Sequence, residues 1–165
     1  MALAMASEAT LRGLPLPRPS VRIICLDVDG RVLLLQWQDP VTLEHLWEPP
    51  GGGIEGDETA FAAAQRELHE ETGLDPARIH ERSINVERDT TWKGQRYVGA
   101  EPFFIAHFDT IEPNVTPAGL STDEEQNLRD HRWCIVNDLA ALDGRLEPPE
   151  LTTVIDELRT SGSTG

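Results

Sequence analysis

The stretch that decides the fold is GGIEGDETAFAAAQRELHEETGL, residues 52–74. The Pro-Pro-Gly-Gly-Gly run at residues 49–53 excludes a regular helix there and predicts a loop. From Asp57, a predicted N-cap, apolar residues recur at spacings of three and four as far as Leu68. Gly73 is a natural stop for a helix. The stretch therefore predicts a loop, a helix and a second loop.

Three glutamates of this predicted helix, Glu67, Glu70 and Glu71, are spaced so that their carboxylates converge on one side. At about 100° per residue, Glu71 falls inside the apolar arc, Glu67 lies on its edge and Glu70 lies roughly 80° beyond that edge. Neighbouring carboxylates that turn inward repel one another and resist burial unless a cation lies among them. The pattern fits a divalent cation such as Mg²⁺ or Mn²⁺ and a salt-bridged surface helix equally well.

The same segment resembles a complete Nudix box. That pattern is Gly, five residues, Glu, seven residues and then Arg-Glu-U-x-Glu-Glu-x-Gly-U, where U is aliphatic. All nine specified positions agree, and chance would produce such a match on the order of 10⁻⁹ times per starting position. The flanking residues 47–52 and the later pair Arg132 and Trp133 also resemble the family, so the likeness spans most of residues 21–158.

The resemblance implies an α/β fold, namely an α/β/α sandwich with a mixed β-sheet. It also implies hydrolysis of a nucleoside diphosphate linked to another group, with Mg²⁺ or Mn²⁺ as cofactor. Carried over position by position, the metal ligands would be the side chains of Glu67, Glu70 and Glu71 and the carbonyl of Gly51. Supporting roles would fall to Gly52, Glu58 and Arg66. For Glu58, a first-turn glutamate favoured by the helix dipole is an equally good interpretation.

The general base is left open by the sequence. Glu67 and Glu70 of the box are candidates, and so is a carboxylate from the later stretch 122–125, where Glu125 is favoured over Glu124. The alternative for Glu125 is structural, because Thr122 followed three residues later by Glu125 is a capping-box pattern.

The polar loop around residues 92–97 is the predicted substrate-binding region. Trp92 could stack on a base, and Lys93 or Arg96 could bind phosphate. An ordinary exposed hairpin loop is the alternative interpretation of this segment.

The remaining pattern predicts one domain. Residues 1–20 are interpreted as a mobile lead-in, residues 21–160 as a single α/β domain and residues 161–165 as a flexible tail. Two apolar runs on either side of Asp29 and Gly30 predict an antiparallel hairpin. Further strands are predicted at 79–88, 97–108 and 131–136, with helices at 121–130 and from residue 151 onward.

The charge of the chain restricts its partners. With 14 basic and 29 acidic residues the net charge is −15, which argues against nucleic acid bound by the bare surface. A small phosphorylated substrate, such as a nucleotide, is compatible if cations supply the positive charge. No apolar run approaches the ~18 residues of a membrane span, so we expect no membrane association and a cytoplasmic location. A homodimer is one possible oligomeric state.

Two hypotheses about function follow. The leading one is metal-dependent hydrolysis of a pyrophosphate bond in a nucleotide or nucleoside diphosphate derivative. The second is a catalytically silent Nudix-like module that senses a nucleotide or metabolite. Cys25 and Cys134, both in apolar runs, are predicted to be reduced core residues in either case.

Overall fold

The computed structural model describes residues 14–161, and eight strands within this range form one mixed β-sheet. The strands are β1 (Ser20–Leu26), β2 (Val32–Gln38), β3 (His45–Glu48), β4 (Gly51–Gly53), β5 (Ile79–Trp92), β6 (Gln95–His107), β7 (Leu128–Cys134) and β8 (Arg145–Leu146). The helices are α1 (Ala60–Thr72), α2 (Thr122–Asn127) and α3 (Leu151–Ser161), with 3₁₀ turns at Pro76–Arg78 and Val136–Ala141. The predicted α/β class is confirmed.

Helices cover both faces of the sheet, which makes three layers. On one face, Ala63, Ala64 and Leu68 of α1 pack against β1, β2 and β6. On the other, the apolar side of α3 packs against β1, β2 and Phe103 of β6. Strand β1 is buried along its whole length, because its alternating side chains enter both cores. The sandwich expected from the sequence is therefore present.

Strands β1 and β2 diverge from their turn instead of forming a long hairpin. Their ladder is limited to the pair Leu26 and Val32 beside the Asp29–Gly30 turn. Strand β4 then pairs antiparallel with the start of β1, and β3 pairs antiparallel with the end of β2. The predicted hairpin is right in its turn, but the 45–53 segment fills the gap between the two strands. The glycine loop at 51–53, which lies in this gap, lines the candidate site described below.

The other side of each central strand is also paired. β6 runs parallel to β1 and antiparallel to the long strand β5, while β7 runs antiparallel to β2. β5 and β6 are joined by the two-residue turn Lys93–Gly94, in which both residues have positive φ, as a hairpin turn of this type requires. β5 therefore extends to Trp92, beyond the predicted end at residue 88.

The helix caps differ from the predicted ones by one or two residues. α1 is capped by Thr59, whose hydroxyl accepts from the Ala62 N–H, so the Asp57 assignment is wrong. α2 is capped by Ser121 with Glu124 as its capping-box partner, one residue earlier than predicted. α2 is also shorter than predicted, because the chain enters β7 at residue 128. The shift of one residue makes Glu124, rather than Glu125, the capping-box partner.

The N-terminal lead-in predicted for residues 1–20 falls largely outside the described residues. Within the described part, Leu16 bridges to Tyr97 and the Pro19 carbonyl accepts from the Ile54 N–H. Of the tail predicted at 161–165, Ser161 ends α3 and the rest lies outside the description. Among the described residues, no helix is long and apolar enough to cross a membrane.

The cysteines are free and buried, as predicted. Burial raises the pKa of both thiols, that of Cys134 to about 11. Both therefore behave as small apolar core residues rather than as reactive thiolates.

Gly73 ends α1 in the left-handed conformation, with φ of +70°. A Cβ there would collide with the Thr116 carbonyl oxygen, whereas one on Gly94, with φ of +79°, would meet nothing within 4 Å. Gly94→Ala should cost about 1 kcal/mol for the backbone conformation alone. Gly73→Ala should lower the free energy of unfolding in urea by at least about 1 kcal/mol more. Equal losses for the two variants would contradict the close contact with residue 116.

Candidate functional site

Helix α1 presents its glutamates at graded depths. Glu71 is 1% exposed and Glu67 is 7% exposed, whereas the Glu70 side chain keeps 34% of its surface accessible. This order is the one that the helical-wheel argument predicted. The helix keeps this register because Thr59 caps its start and Gly73 ends it.

A third carboxylate reaches the same point from a different element. One oxygen from each of Glu67, Glu71 and Glu124 lies within 4.8 Å of the other two. Glu124 belongs to α2, where its Oε1 accepts from the Ser121 N–H at 2.9 Å and is thereby held in place. Three carboxylates at this spacing are a donor set suited to Mg²⁺ or Mn²⁺, which prefer oxygen ligands.

The protonation of the cluster supports the same fit. Burial raises the pKa of Glu71 well above its usual range, and the charge of Glu67 adds to the increase. Burial also raises the pKa of Glu67, although its hydrogen bond with Arg66 acts in the opposite direction. Both carboxylates therefore carry their negative charge at a cost that a nearby cation would remove.

The glycine loop lies directly against these carboxylates. The Gly51 N–H donates to Oε1 of Glu71 at 2.7 Å. A Cβ on Gly52 would lie 2.6 Å from Oε1 of Glu67, so a side chain there would push into the carboxylate. The supporting part predicted for Gly52 thus has a steric basis, while metal ligation by the Gly51 carbonyl remains a prediction.

Arg66 connects the helix to the loop. Its Nε and Nη2 donate to Glu58 at 2.8 and 3.0 Å, and Nη2 also donates to the Gly53 carbonyl at 2.8 Å. Its Nη1 donates to Glu67 at 3.0 Å and to Glu70 at 3.1 Å. The hydrogen bond from Arg66 lowers the pKa of Glu58. These contacts agree with supporting roles for Glu58 and Arg66.

Glu70 and Glu125 are placed differently from the cluster. Glu70 is bound by Arg66, and its Cγ lies close to Gly119. Glu125 is exposed on α2 and does not line the cavity described below, whereas Glu124 does. The signal that could have separated the two was the cap, because Ser121 as N-cap turns residue 124 back toward the helix start.

A buried ionic network forms another wall of the site. Arg22 donates to Glu101 at 2.9 Å, pairs with Glu48 at 3.1 Å and donates to the Pro49 carbonyl at 3.2 Å. Arg88 also donates to Glu101 at 2.9 Å and lies 3.5 Å from Glu147. Burial opposes the charge of Arg22, but the three nearby glutamates outweigh it and raise its pKa. Burial likewise opposes the charge of Glu101, yet the two arginines lower its pKa.

This network was not predicted from the sequence. The available signal was Arg22, a charged residue inside an otherwise apolar strand. Its partner Glu101 lies 79 residues away, and nothing local links the two. The network holds the loop entering β4, since Arg22 bonds to the Pro49 carbonyl and Ile23 N–H to that of Pro50.

Of the three predicted substrate-binding residues, only Trp92 lines the cavity. Trp92 lines the cavity and packs against Leu35, Trp37 and Leu46. Lys93 lies at the hairpin tip, where its Nζ is 2.9 Å from Oδ1 of Asp123. Arg96 donates to both oxygens of Asp89 at 2.8 and 2.7 Å and does not line the cavity.

All these walls enclose one cavity of about 310 Å³. The carboxylate cluster forms one part, the arginine network a second, and Trp37, Leu46 and Trp92 an apolar third. Arg18 also lines it, with its guanidinium carbon 5.4 Å from the centre of the Tyr97 ring. A volume of this order is typical of small-molecule sites, which run from about 300 to 1,000 Å³.

The sequence as a whole matches a known domain. A family model described as the NUDIX domain matches residues 16–154. An RNA pyrophosphohydrolase of Halorhodospira halophila is 47% identical over 62 residues, which cover 38% of this chain and 32% of that protein. The aligned stretch thus spans about a third of the relative's length.

Solved structures share the fold. An Ap4A hydrolase of C. elegans, crystallised as a binary complex, has a TM-score of 0.61 at 20% identity, covering 87% of this chain and 98% of its own. A bifunctional NMN adenylyltransferase/ADP ribose pyrophosphatase of Francisella tularensis, complexed with AMP and a Mn ion, has a TM-score of 0.63 at 21% identity. The second alignment covers 95% of this chain and 46% of that one. At these identities the likeness concerns the fold alone.

Replacing Glu71 by Gln tests the fit between the cluster and a divalent cation. Glutamine can keep the bond to the Gly51 N–H but removes the buried charge, so the metal-free protein should melt roughly 2–4 °C higher. Addition of Mn²⁺ should raise the melting temperature of the wild type and leave that of the variant unchanged. Glu125→Gln, on the exposed side of α2, is the matched control and should respond to Mn²⁺ like the wild type.

The stability of the wild type and that of Glu71→Gln should also depend on pH in different ways. The pKa of Glu71 is higher in the folded chain than in the unfolded one. The free energy of unfolding of the metal-free wild type should therefore fall as pH rises through the range between these two pKa values. The variant should lack this contribution. An equal rise in melting temperature with Mn²⁺ in both proteins would show that Glu71 does not bind the ion.

Proposed function

The chain belongs to the Nudix family, and from this membership we propose that it hydrolyses a pyrophosphate bond in a nucleotide or nucleoside diphosphate derivative. The observation that carries the proposal is the meeting of Glu67, Glu71 and Glu124 within 4.8 Å, on the wall of a cavity large enough for a small ligand. An acidic cluster of this kind repels a phosphate group unless a bound cation lies between them. The acidity of the whole chain is then no obstacle to an anionic substrate.

The residues that would hold Mg²⁺ or Mn²⁺ are Glu67, Glu70 and Glu71, with the Gly51 carbonyl, and we add Glu124 to this set. When bound, such an ion supplies the positive charge that offsets the phosphate oxygens and the developing charge of the reaction. Support for the choice of ion comes from the Francisella neighbour, which was complexed with AMP and a Mn ion.

Hydrolysis requires a water to form a bond to phosphorus while the bridging P–O bond breaks, and the water proton must pass to a base. Among the sequence candidates, Glu67 and Glu70 remain eligible. The role predicted for Glu125 is better suited to Glu124, because Glu124 is the α2 carboxylate beside Glu67 and Glu71. Phosphoryl transfer depends mainly on positioning and charge neutralisation, which a fixed carboxylate cluster supplies.

The positively charged side chains in and near the cavity differ in whether a carboxylate already binds them. Arg22 and Arg88 are engaged by Glu48, Glu101 and Glu147, so they position the walls rather than bind substrate. Arg18 lines the cavity and forms no ion pair with a described residue, which leaves it available to a phosphate group. Lys93 and Arg96 would have to leave Asp123 and Asp89 to do the same.

A second substrate class comes from the curated relative. Because that relative is an RNA pyrophosphohydrolase, the 5′-triphosphate end of an RNA belongs among the candidates. The net charge of −15 opposes extended contact with an RNA backbone, so binding would involve the terminal nucleotide.

A substrate panel tests the proposal. Purified protein with Mg²⁺ or Mn²⁺ should release phosphate or pyrophosphate from at least one of a set comprising nucleoside triphosphates, dinucleoside polyphosphates, ADP-sugars and a 5′-triphosphorylated RNA oligonucleotide. Silence across the panel, together with measurable nucleotide binding, would favour the alternative of a sensing module.

The two neighbouring glutamates of α2 provide a test variant and a matched control for the general base. Glu124→Gln should reduce turnover of the best panel substrate by about 10² or more, as loss of a general base does. Glu125→Gln should stay within about twofold of the wild type, because that side chain is exposed outside the cavity. The reverse result would return the role to Glu125 and move the site toward the outer face of α2.

A further inference from the structure

Helix α2 carries Glu124 to the carboxylate cluster but contains little that could hold it there. Its six residues, Thr-Asp-Glu-Glu-Gln-Asn at 122–127, include no apolar side chain, and only Asn127 is buried. A helix of this length is not stable by itself. Without apolar side chains, it also gains little from packing against a core. The position of Glu124 therefore depends on polar contacts and on the ends of the segment.

The two ends of this segment are attached to the rest of the domain. Before α2, the N–H groups of Ala118 and Gly119 donate to the Glu70 carbonyl at 2.9 and 3.0 Å. After it, Leu128 begins β7, which pairs with β2. The capping box orients its glutamate relative to α2 itself, but it does not fix α2 relative to α1.

A salt bridge from the hairpin of β5 and β6 supplies a further attachment. Lys93 Nζ lies 2.9 Å from Oδ1 and 3.0 Å from Oδ2 of Asp123, the residue before Glu124. Within residues 14–161, this is the only ion pair that α2 forms. Asp123 and Glu124 both line the cavity, so the salt bridge acts directly beside the carboxylate that joins the cluster.

The hairpin end of this salt bridge is itself fixed. The Lys93 N–H donates to Oδ2 of Asp39 at 2.8 Å. Asp39 is buried just after β2, and its Oδ1 accepts from the N–H groups of Val41 and Thr42 at 2.9 and 3.3 Å. The lysine side chain therefore starts from a turn that is bonded to a buried carboxylate.

The backbone of Lys93 is a second, independent observation. Its φ is +54°, in the left-handed region. Turns of this type favour Asn, Asp or Gly at this position, and a longer side chain there costs about 1 kcal/mol. A residue that is unfavourable for its own turn is explained if its side chain has another use. The contact that the structure shows for this side chain is the one with Asp123.

We propose that Lys93 is a positioning residue: through Asp123 it holds α2 so that Glu124 stays in the carboxylate cluster. The inference rests on the proposed function, because it gives Lys93 a part in binding the metal ion. It also replaces the role predicted from the sequence, in which the ammonium group of Lys93 binds a substrate phosphate.

The proposal predicts a change in cation affinity whose sign is opposite to that of simple electrostatics. Lys93 is positively charged, so its removal would strengthen binding of a cation if charge alone mattered. If Lys93 positions Glu124, its removal should weaken binding, because the competent arrangement of the cluster is then less populated. The affinity of a Lys93 variant for a divalent cation distinguishes the two effects.

Lys93→Asn is the test variant, because asparagine removes the charge and suits the left-handed turn. Titration with Mn²⁺, followed by calorimetry, should show an affinity about twofold to fivefold lower than that of the wild type, as loss of an exposed ion pair predicts. The melting temperature of the metal-free variant should be no lower than that of the wild type, which excludes misfolding as the cause. An unchanged or higher affinity for Mn²⁺ would overturn the proposal.

Asp123→Asn and the double variant assign the effect to the pair. Each single variant should lose a similar factor in Mn²⁺ affinity, and the double variant should bind no more weakly than the weaker single one, because both break the same contact. Independent charge effects would instead have opposite signs and cancel in the double variant, which would contradict the proposal. The control is Arg129→Gln, which removes an exposed positive charge just after α2 that is bonded to Gln38. It should bind Mn²⁺ at least as tightly as the wild type.

Amide hydrogen exchange of the metal-free protein tests the attachment without an ion. Peptides that cover residues 121–127 should exchange about twofold to fivefold faster in Lys93→Asn than in the wild type, while those of β1 should be unchanged. Equal exchange at 121–127 in the two proteins would show that the salt bridge does not hold α2.

These measurements also separate the inference from the proposed hydrolysis. A wild type that binds no Mn²⁺ and cleaves nothing on the panel would contradict the proposed function, and amide exchange would then decide alone whether Lys93 holds α2. A panel substrate whose KM rises in Lys93→Asn while the Mn²⁺ affinity stays the same would make Lys93 a substrate ligand. That result would overturn the positioning role and leave the hydrolysis intact.

Discussion

The burial of the Glu71 carboxylate against the backbone of Gly51 is the constraint on which the rest of the site depends. A carboxylate this deeply buried needs a donor at a fixed place, and the Gly51 N–H supplies it at 2.7 Å. That bond fixes the glycine loop to α1, while the pairing of β4 with β1 fixes the same loop to the sheet. Arg22 holds it from the other side through the Pro49 carbonyl. One buried charge therefore sets the relative position of helix, loop and strand.

The charge balance of the cavity differs from that of the whole chain. The net charge is −15, yet Arg22 and Arg88 are buried in the wall, each beside Glu101. Burying an ion costs several kcal/mol, which only close partners offset, so these charges largely cancel within the wall. In contrast, neither Glu71 nor Glu124 has a salt-bridge partner among the described residues, and the charge of Arg22 offsets that of Glu71 only in part. The negative charge that remains lies where a divalent cation and a phosphate can neutralise it.

The parts that the sequence predicted well are those with a local cause. The periodicity of α1 gave the burial order of its glutamates, and the Lys93–Gly94 pair lies in the polar hairpin loop that was predicted. The errors are also local and small, since the N-cap of α2 is Ser121, one residue before the predicted Thr122. Contacts between distant segments could not be predicted. The pairing of Arg22 with Glu101 depends on strand order and register, which hydrophobic patterns do not determine.

The separate origin of the two parts of the cavity explains why a complete box leaves the substrate undetermined. The carboxylates that would hold the ion come mainly from α1, whose geometry is set within one continuous segment. The aromatic part is assembled from Trp37 of β2, Leu46 of β3 and Trp92 of β5, which are distant in the sequence. Most of the carboxylates are therefore positioned within a single stretch of sequence, whereas the aromatic wall requires the order of the strands in the whole sheet.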